Sequence, residues 1–233
     1  MAQELKTESE KVGFTVNLSK TKMMTNDEAE VSSMNNEIEL VDEYKYLGRI
    51  TSFSDRMNKE ISARITNGWK AFWSLKNVFK GKMELSTKKR IWESCVPPVL
   101  SYGAQTWSIT KKQSERLRVT QMRMLRSMLN VTTRVKIRNR TLKEKIGTVD
   151  IGYVITKIKY KYAGHLARTN GTKWHKATTE WTPYEKRKRG RPAMRWRDEI
   201  CRRVGTKWGE LAQNRERWKR VVDAAVRNHE YLP

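Results

Sequence analysis

Apolar residues follow two rhythms along this chain, and the rhythm changes near residue 57. Before that point alternation prevails. Phe14, Val16 and Leu18 alternate with Thr15 and Asn17, and Glu37-Ile38-Glu39-Leu40-Val41 alternates likewise. A two-residue period predicts half-buried strands. Tyr44-Lys45-Tyr46-Leu47-Gly48 predicts a further strand that ends at a glycine.

From Met57 onward the period lengthens. Ile61, Ile65, Gly68, Phe72, Leu75 and Phe79 recur every three or four residues, which is one face of a helix. Gly68 on that stripe costs about 1 kcal/mol of helix propensity relative to alanine, so close packing is expected there. Gly81 is the expected stop. Ser86-Thr87 is expected to cap the next helix, which carries Lys88, Lys89 and Arg90 before Ile91 and Trp92 and ends at Pro97-Pro98. A third helix is predicted over 113–130, with Met122, Leu125 and Leu129 on its apolar face. Another near 151–167 would bury Ile151, Ile155, Ile158 and Tyr162. Met194 to Arg227 reads as two helices split at Gly205, with Trp208, Leu211, Trp218 and Val222 packed on Trp196 and Ile200. The expected fold class is therefore α+β, mostly α: a short β-rich N-terminal segment, a helical bundle and a small C-terminal helical pair.

Composition changes this picture chiefly through charge. The 233 residues carry a net +24, with 32% charged residues, yet nine Trp, eight Tyr and four Phe argue against wholesale disorder. Residues 1–60 hold 8 Lys/Arg and 12 Asp/Glu, a net of −4; residues 61–233 hold 41 and 13, a net of +28. Clustered cations of this kind displace condensed counterions from phosphates, so the second segment expects a polyanionic partner, RNA or DNA. Basic rows recur on faces separate from the apolar ones: Arg116 with Arg123, then Lys157, Lys161 and Arg168. The stretch 170–193 reads as a basic linker. Within it Lys186, Arg187, Lys188, Arg189 and Arg191 have the composition of a nuclear-import patch.

Other classes are disfavoured. No apolar run reaches the ~18 residues of a bilayer span, and the first residues lack the apolar core of a signal peptide. Cys95, Cys201 and the three histidines show no finger-like spacing, so the thiols read as reduced core residues and no structural zinc is expected. His165 has no carboxylate or nucleophile partner in sequence and reads as a packed residue, not a general base. Trp69, Trp73, Trp92 and Trp107 read as helix anchors. Trp174, Trp181 and Trp196, set among basic residues, are the candidates for stacking on bases.

Seven segments in order carry a family likeness: KVGFTVNLSKTKMM (11–24), EYKYLGRI (43–50), CVPPVLSYGAQTW (95–107), LNVTTRVKIRN (129–139), YAGHLAR (162–168), KRGRPAMRWRDEI (188–200) and WGELAQNRERWKRVV (208–222). Together they resemble the C-terminal portion of non-long-terminal-repeat (LINE-type) retrotransposon reverse transcriptases. The resemblance implies that 1–56 is the end of the palm with a primer-grip-like hairpin, 57–169 a thumb-like region, 170–193 the linker and 194–233 a C-terminal helical segment. It puts Lys45 on the hairpin and Lys20 and Lys22 where a lysine approaches the incoming triphosphate; the plainer reading of Lys20 and Lys22 is a surface turn with solvated lysines. The family's RNA-directed DNA synthesis uses two divalent metals, Mg2+ in an intact parent, held by an Asp-Asp box shortly upstream of such a segment. Here only ten residues precede Lys11 and no adjacent Asp-Asp pair occurs. The expectation is a truncated fragment that binds RNA and DNA non-specifically, holds no cofactor, is inactive alone as a polymerase and resides in the nucleus. A separate palm-and-fingers chain supplying the aspartates is one implied partner; no membrane is. No endonuclease signature is found, and a decaying remnant without a selected role stands as a further reading. The alternative is a chromatin-associated protein whose Arg189-Gly190-Arg191-Pro192, similar to an AT-hook core, enters a narrow minor groove.

Overall fold

The computed structural model describes residues 2–17, 19–25, 38–132, 134–169, 173–181 and 194–227. The described residues are mostly helical, with short strands confined to the N-terminal part, so the chain is α+β and mostly α. It divides into two compact units, Met1–Glu60 and Ile61–Pro233.

The first unit opens with helix α1 (Ala2–Lys11). Gly13, at φ 80°, ends it: the Gly13 N–H donates to the Glu10 carbonyl at 3.1 Å and the Phe14 N–H to the Ser9 carbonyl at 2.9 Å. That 5→2 and 6→1 pair is a Schellman stop. The strand expected from Phe14 to Leu18 is therefore a correction. Residues 14–17 form no strand, and Phe14 is 70% exposed, because its backbone closes a helix instead of joining a ladder. The parallel pair β1 (Lys22–Met23) and β2 (Glu39–Leu40) is only two residues deep. β3 (Glu43–Tyr46) and β4 (Arg49–Ser52) form the expected hairpin, in register Tyr46↔Arg49. Its two-residue turn has Leu47 at φ 47° and Gly48 at φ 77°, the primed geometry that suits the twist of paired strands. Glu60 accepts the Ile50 N–H at 2.9 Å and Lys59 pairs with Glu43 at 3.1 Å, tying the hairpin to the first turns of α2 (Arg56–Ser74).

In the second unit the apolar stripe of α2 behaves as its spacing predicts. Ile61 and Phe72 are fully buried, and a Cβ on Gly68 would lie 2.4 Å from Leu100 Cδ2, so the glycine does admit a neighbour. The helix breaks at Leu75, and α3 (Lys76–Lys80) stops at Gly81, whose N–H donates to the Asn77 carbonyl. Phe79 stacks on Phe72 at 4.8 Å, and Trp92 of α4 (Leu85–Cys95) meets both rings edge-on. Neither Ser86 nor Thr87 caps α4: it begins one residue earlier, and Ser86 Oγ bonds Glu84 instead. α5 (Pro97–Leu100) uses Pro97 as its first residue, where a missing N–H costs nothing. Thr110 and Gln113 form a capping box at the start of α6 (Lys111–Met128). At its far end Lys80 Nζ donates to the Ser127 carbonyl at 2.6 Å.

α7 (Asn139–Ile146) ends at Gly147, φ 68°, and Asp150 caps α8 (Ile151–Ala167) by accepting the Gly152 N–H at 2.8 Å. α8 is the central strut. One stretch, Ile151 and Ile155, is buried beside α5, α6 and the 3-10 turn Ala104–Thr106. The next, Tyr160 and Ala163, joins a second core with Ile200, Trp208, Ala212, Trp218, Val222 and Ala225. The buried face is thus rotated from the expected one: Ile158 and Tyr162 are half-buried, whereas Thr156 and Lys159 point inward. After α9 (Trp174–Glu180), the C-terminal part holds three helices where two were expected: α10 (Trp196–Val204), α11 (Trp208–Gln213) and α12 (Arg215–Arg227). Gly205 does separate the first two. Ala212, not Leu211, faces the core.

Candidate nucleic-acid interface

The cations expected at the interface fall into three groups in the structure. Arg90, Arg123, Lys157 and Lys161 are exposed on the helices of the second unit; in the first unit Lys20 lies exposed in a turn built on Asn17 and Lys45 on strand β3. A second group is exposed in part and already engaged. Lys22 pairs with Glu39, Lys89 lies 3.9 Å from Glu93, Arg116 Nη2 donates to Ser62 Oγ at 2.9 Å, and Arg168 Nη1 donates to the Ala212 carbonyl at 2.7 Å. Lys88 alone is buried, 8% exposed on the face of α4 that carries Trp92. Lys186, Arg187, Lys188, Arg189 and Arg191 lie outside the described residues.

The tryptophans divide as well. Trp92 and Trp107 are fully buried anchors, whereas Trp73 is 46% exposed. Trp174 and Trp181 present their rings to solvent, Trp174 at 85% exposure. Trp196 does not: its indole N–H donates to the Gln105 carbonyl at 2.7 Å and its face lies 5.6 Å from Lys159 Nζ. Geometry thus assigns it to packing. His165 is exposed on α8 and stacks on His175, ring centres 6.0 Å apart.

A feature that spacing alone did not reveal is a cavity of about 460 Å³ between the start of α6, α8 and α10. Its apolar wall is Trp107, Ile109, Ile155 and Met194. Lys159, only 2% exposed, extends into this region and donates to Glu199 Oε2 at 2.5 Å. Arg203 approaches the same carboxylate at 3.7 Å. Burial pushes the Lys159 ammonium below its ordinary value, and Glu199 offsets only part of that. On the neighbouring side Asp150 is shared by Arg118, at 3.1 Å, and by Lys143. Burial alone would raise the Asp150 carboxyl, but the hydrogen bond and charge of Lys143, then Arg118 and the Gly152 N–H, hold it below the usual carboxylate value. Lys111, Lys112 and Arg202 stand exposed on the rim with no ion-pair partner among the described residues. One sequence signal did mark this place: Lys159 falls four residues after Ile155 and interrupts the buried face of α8. Its partner Glu199 lies forty residues on, beyond the reach of any spacing argument.

Among the described residues no three His, Cys, Asp or Glu side chains gather as metal ligands. No described helix is long and apolar enough to cross a membrane.

No protein-family model and no solved structure matches the chain. A Caenorhabditis elegans protein described as transposon-derived is 30% identical over 243 aligned positions, spanning 95% of this chain and 87% of that protein. That identity, spanning nearly all of this chain and most of its relative, shows that the chain belongs to this family of transposon-derived proteins.

Proposed function

We propose that this protein is a nucleic-acid-binding fragment of a retrotransposon reverse transcriptase, the end of the palm followed by a thumb-like helical unit, without polymerase activity of its own. The observation that carries the reading is the charge division: the unit that begins at Ile61 holds the net +28, and exposed Arg90, Arg123, Lys157 and Lys161 lie on its helices. Cations on a rigid helical surface contact phosphates and release condensed counterions, which gives affinity without sequence preference. The transposon-derived relative and the seven segments in order support the same origin. Mg2+ belongs to an intact parent enzyme in this reading, and a palm-and-fingers chain carrying the aspartates is one proposed partner. The run 186–191 serves nuclear import or backbone contact.

Binding of the purified chain to single- and double-stranded RNA and DNA, followed by fluorescence anisotropy as salt rises from about 50 to about 200 mM, tests the proposal. Affinity should fall by orders of magnitude if several phosphates are contacted. An affinity that barely moves over that range would discard the reading in favour of a protein partner. A primed RNA template with Mg2+ or Mn2+ should remain unextended.

A further inference from the structure

Helix α9 turns its two largest side chains to solvent. Trp174, Ala177, Thr178 and Trp181 follow one another at i, i+3, i+4 and i+7, a single helical face that runs on to the residue closing the helix. All four are exposed, Trp181 at 64%. Tryptophan is on average a well-buried residue, so two open indoles on one face mark a contact surface. About 10 Å of helix separates them, with only the small Ala177 and Thr178 between, so each ring is open to its own flat partner. The remaining faces of α9 fix it against the end of α8: His175 stacks on His165, and Lys176 Nζ donates to the Thr169 carbonyl at 3.1 Å. Leading up to that junction, the exposed residues of α8 are Lys157, Lys161 and His165, a row at every fourth position with steps of about 6 Å. α8 itself contains no Asp or Glu, and its cap Asp150 is already held by Arg118 and Lys143. Lys157, Lys161 and Lys173, the residue before Trp174, are exposed with no ion-pair partner among the described residues. Glu210 stands in the cleft on the far side of α9 from the indoles, where Lys176, Arg197 and Lys207 outnumber it.

A cationic row thus leads to a pair of open aromatic faces. We infer that α8 and α9 together bind unpaired nucleic acid, the lysine row following the backbone and the two indoles stacking on bases of the same strand. Charge selects a polyanion, and stacking selects which one. A duplex keeps its base faces inside its own stack and presents phosphates to a helical surface, whereas a single strand offers phosphates and bases at once. The inference rests on the nucleic-acid reading above and adds a preference that charge alone does not give. Phosphates are denser on a duplex, so a purely electrostatic surface would favour the duplex.

Fluorescence anisotropy of the full chain with three probes of equal length tests this: an unstructured single-stranded DNA, its duplex, and an abasic strand that keeps the phosphates and lacks the bases. The single strand should bind at least about tenfold more tightly than either of the others, a difference of about 1.4 kcal/mol. Trp174→Ala with Trp181→Ala should abolish that difference and leave duplex and abasic binding within about twofold of wild type. Trp174→Phe with Trp181→Phe, which keeps a ring face at each place, should restore most of it. Lys157→Ala with Lys161→Ala should weaken the single strand and lower its salt slope by about 1.4, two phosphates at about 0.7 each. Lys219→Ala with Arg220→Ala, the same loss of charge on α12, should leave the preference for the single strand intact. Duplex or abasic strand bound as tightly as the single strand, an alanine double variant at the indoles that loses equally for all three probes, or a phenylalanine pair no better than alanine would each overturn the inference. If strand and duplex bind alike and with steep salt dependence, the function proposed above stands without this site; if no probe binds with steep salt dependence, both fail.

Discussion

Replacing Asp150 separates two jobs that one carboxylate performs. Its Oδ1 accepts the Gly152 N–H at the start of α8, and its charge holds Arg118 and Lys143. Asn caps helices about as well as Asp, so Asp150→Asn removes the charge and keeps the cap. Deleting one partner of a buried pair costs about 3–5 kcal/mol when the survivors stay buried. Here Asp150 is 4% exposed but Arg118 and Lys143 are each 28% exposed, so the freed cations regain water and about 1–2 kcal/mol is the reasoned loss. Asp150→Ala forfeits the cap as well, adding about 1 kcal/mol. For a unit of this size each kcal/mol moves Tm by about 2–4 °C. The folded-state carboxyl is held below its ordinary value of 3.8, so its stabilisation is complete above that value and disappears as pH falls through the folded pKa. Thermal unfolding of wild type and Asp150→Asn should therefore differ by a constant margin from about pH 7 to about pH 5 and converge in strong acid. A margin that persists unchanged into strong acid, or an Asn variant as stable as wild type at neutral pH, would refute the charge argument.

Three further perturbations probe other parts of the molecule. Gly164→Ala should destabilise the second unit by about 1–3 kcal/mol in a denaturant titration, since the new Cβ would sit 2.2 Å from Nε1 of a Trp218 ring that is itself bonded to the Tyr160 carbonyl. Leu47→Asn should leave the hairpin fold unchanged and stabilise the chain by about 0.5–1 kcal/mol, because asparagine tolerates the φ of 47° that leucine adopts under strain; calorimetry showing a loss would contradict this. Trp174→Ala with Trp181→Ala should weaken single-strand binding by about 1–3 kcal/mol per stacked base while leaving Tm in place, given how exposed both rings are; equal binding by the double variant would remove them from the interface.

The helical stripe of α2 was legible because it depends only on periodicity and on one glycine that must have a close neighbour, which Leu100 provides. The strand through Tyr44, Lys45 and Tyr46, stopped at Gly48, was legible for a similar local reason, while the hairpin over 43–50 came from the family resemblance and its second strand runs on to Ser52. The alternation at 14–18 misled because two-residue periodicity states only what a strand would bury, not whether a partner exists; Gly13 closing α1 was the competing local signal. On α8 the residues read as the apolar face were off by a small rotation, because burial there is decided by Trp218 and Ile200 arriving from more than thirty residues downstream. The same distance hid the cavity. Of the expected site residues, the exposure of cations such as Lys157 and Lys161 needed only helical phase, whereas the burial of Lys88, like that of Lys159, which was not among them, depended on which neighbour closed over it.

The stacking of Trp218 into the notch at Gly164 has a consequence for how this protein tolerates trimming. α8 gives Ile151 and Ile155 to one core and Tyr160 and Ala163 to the other, so no seam separates the C-terminal helices from the rest of the unit. A protease cut or premature stop ahead of Trp208 would leave a strip of Tyr160, Ala163 and Ile200 open to water, an adhesive surface on a chain that otherwise repels its own copies by charge. Amides at the middle of α8 should accordingly exchange with solvent only when the whole unit opens, and the terminal helices should be inseparable from it in any soluble fragment.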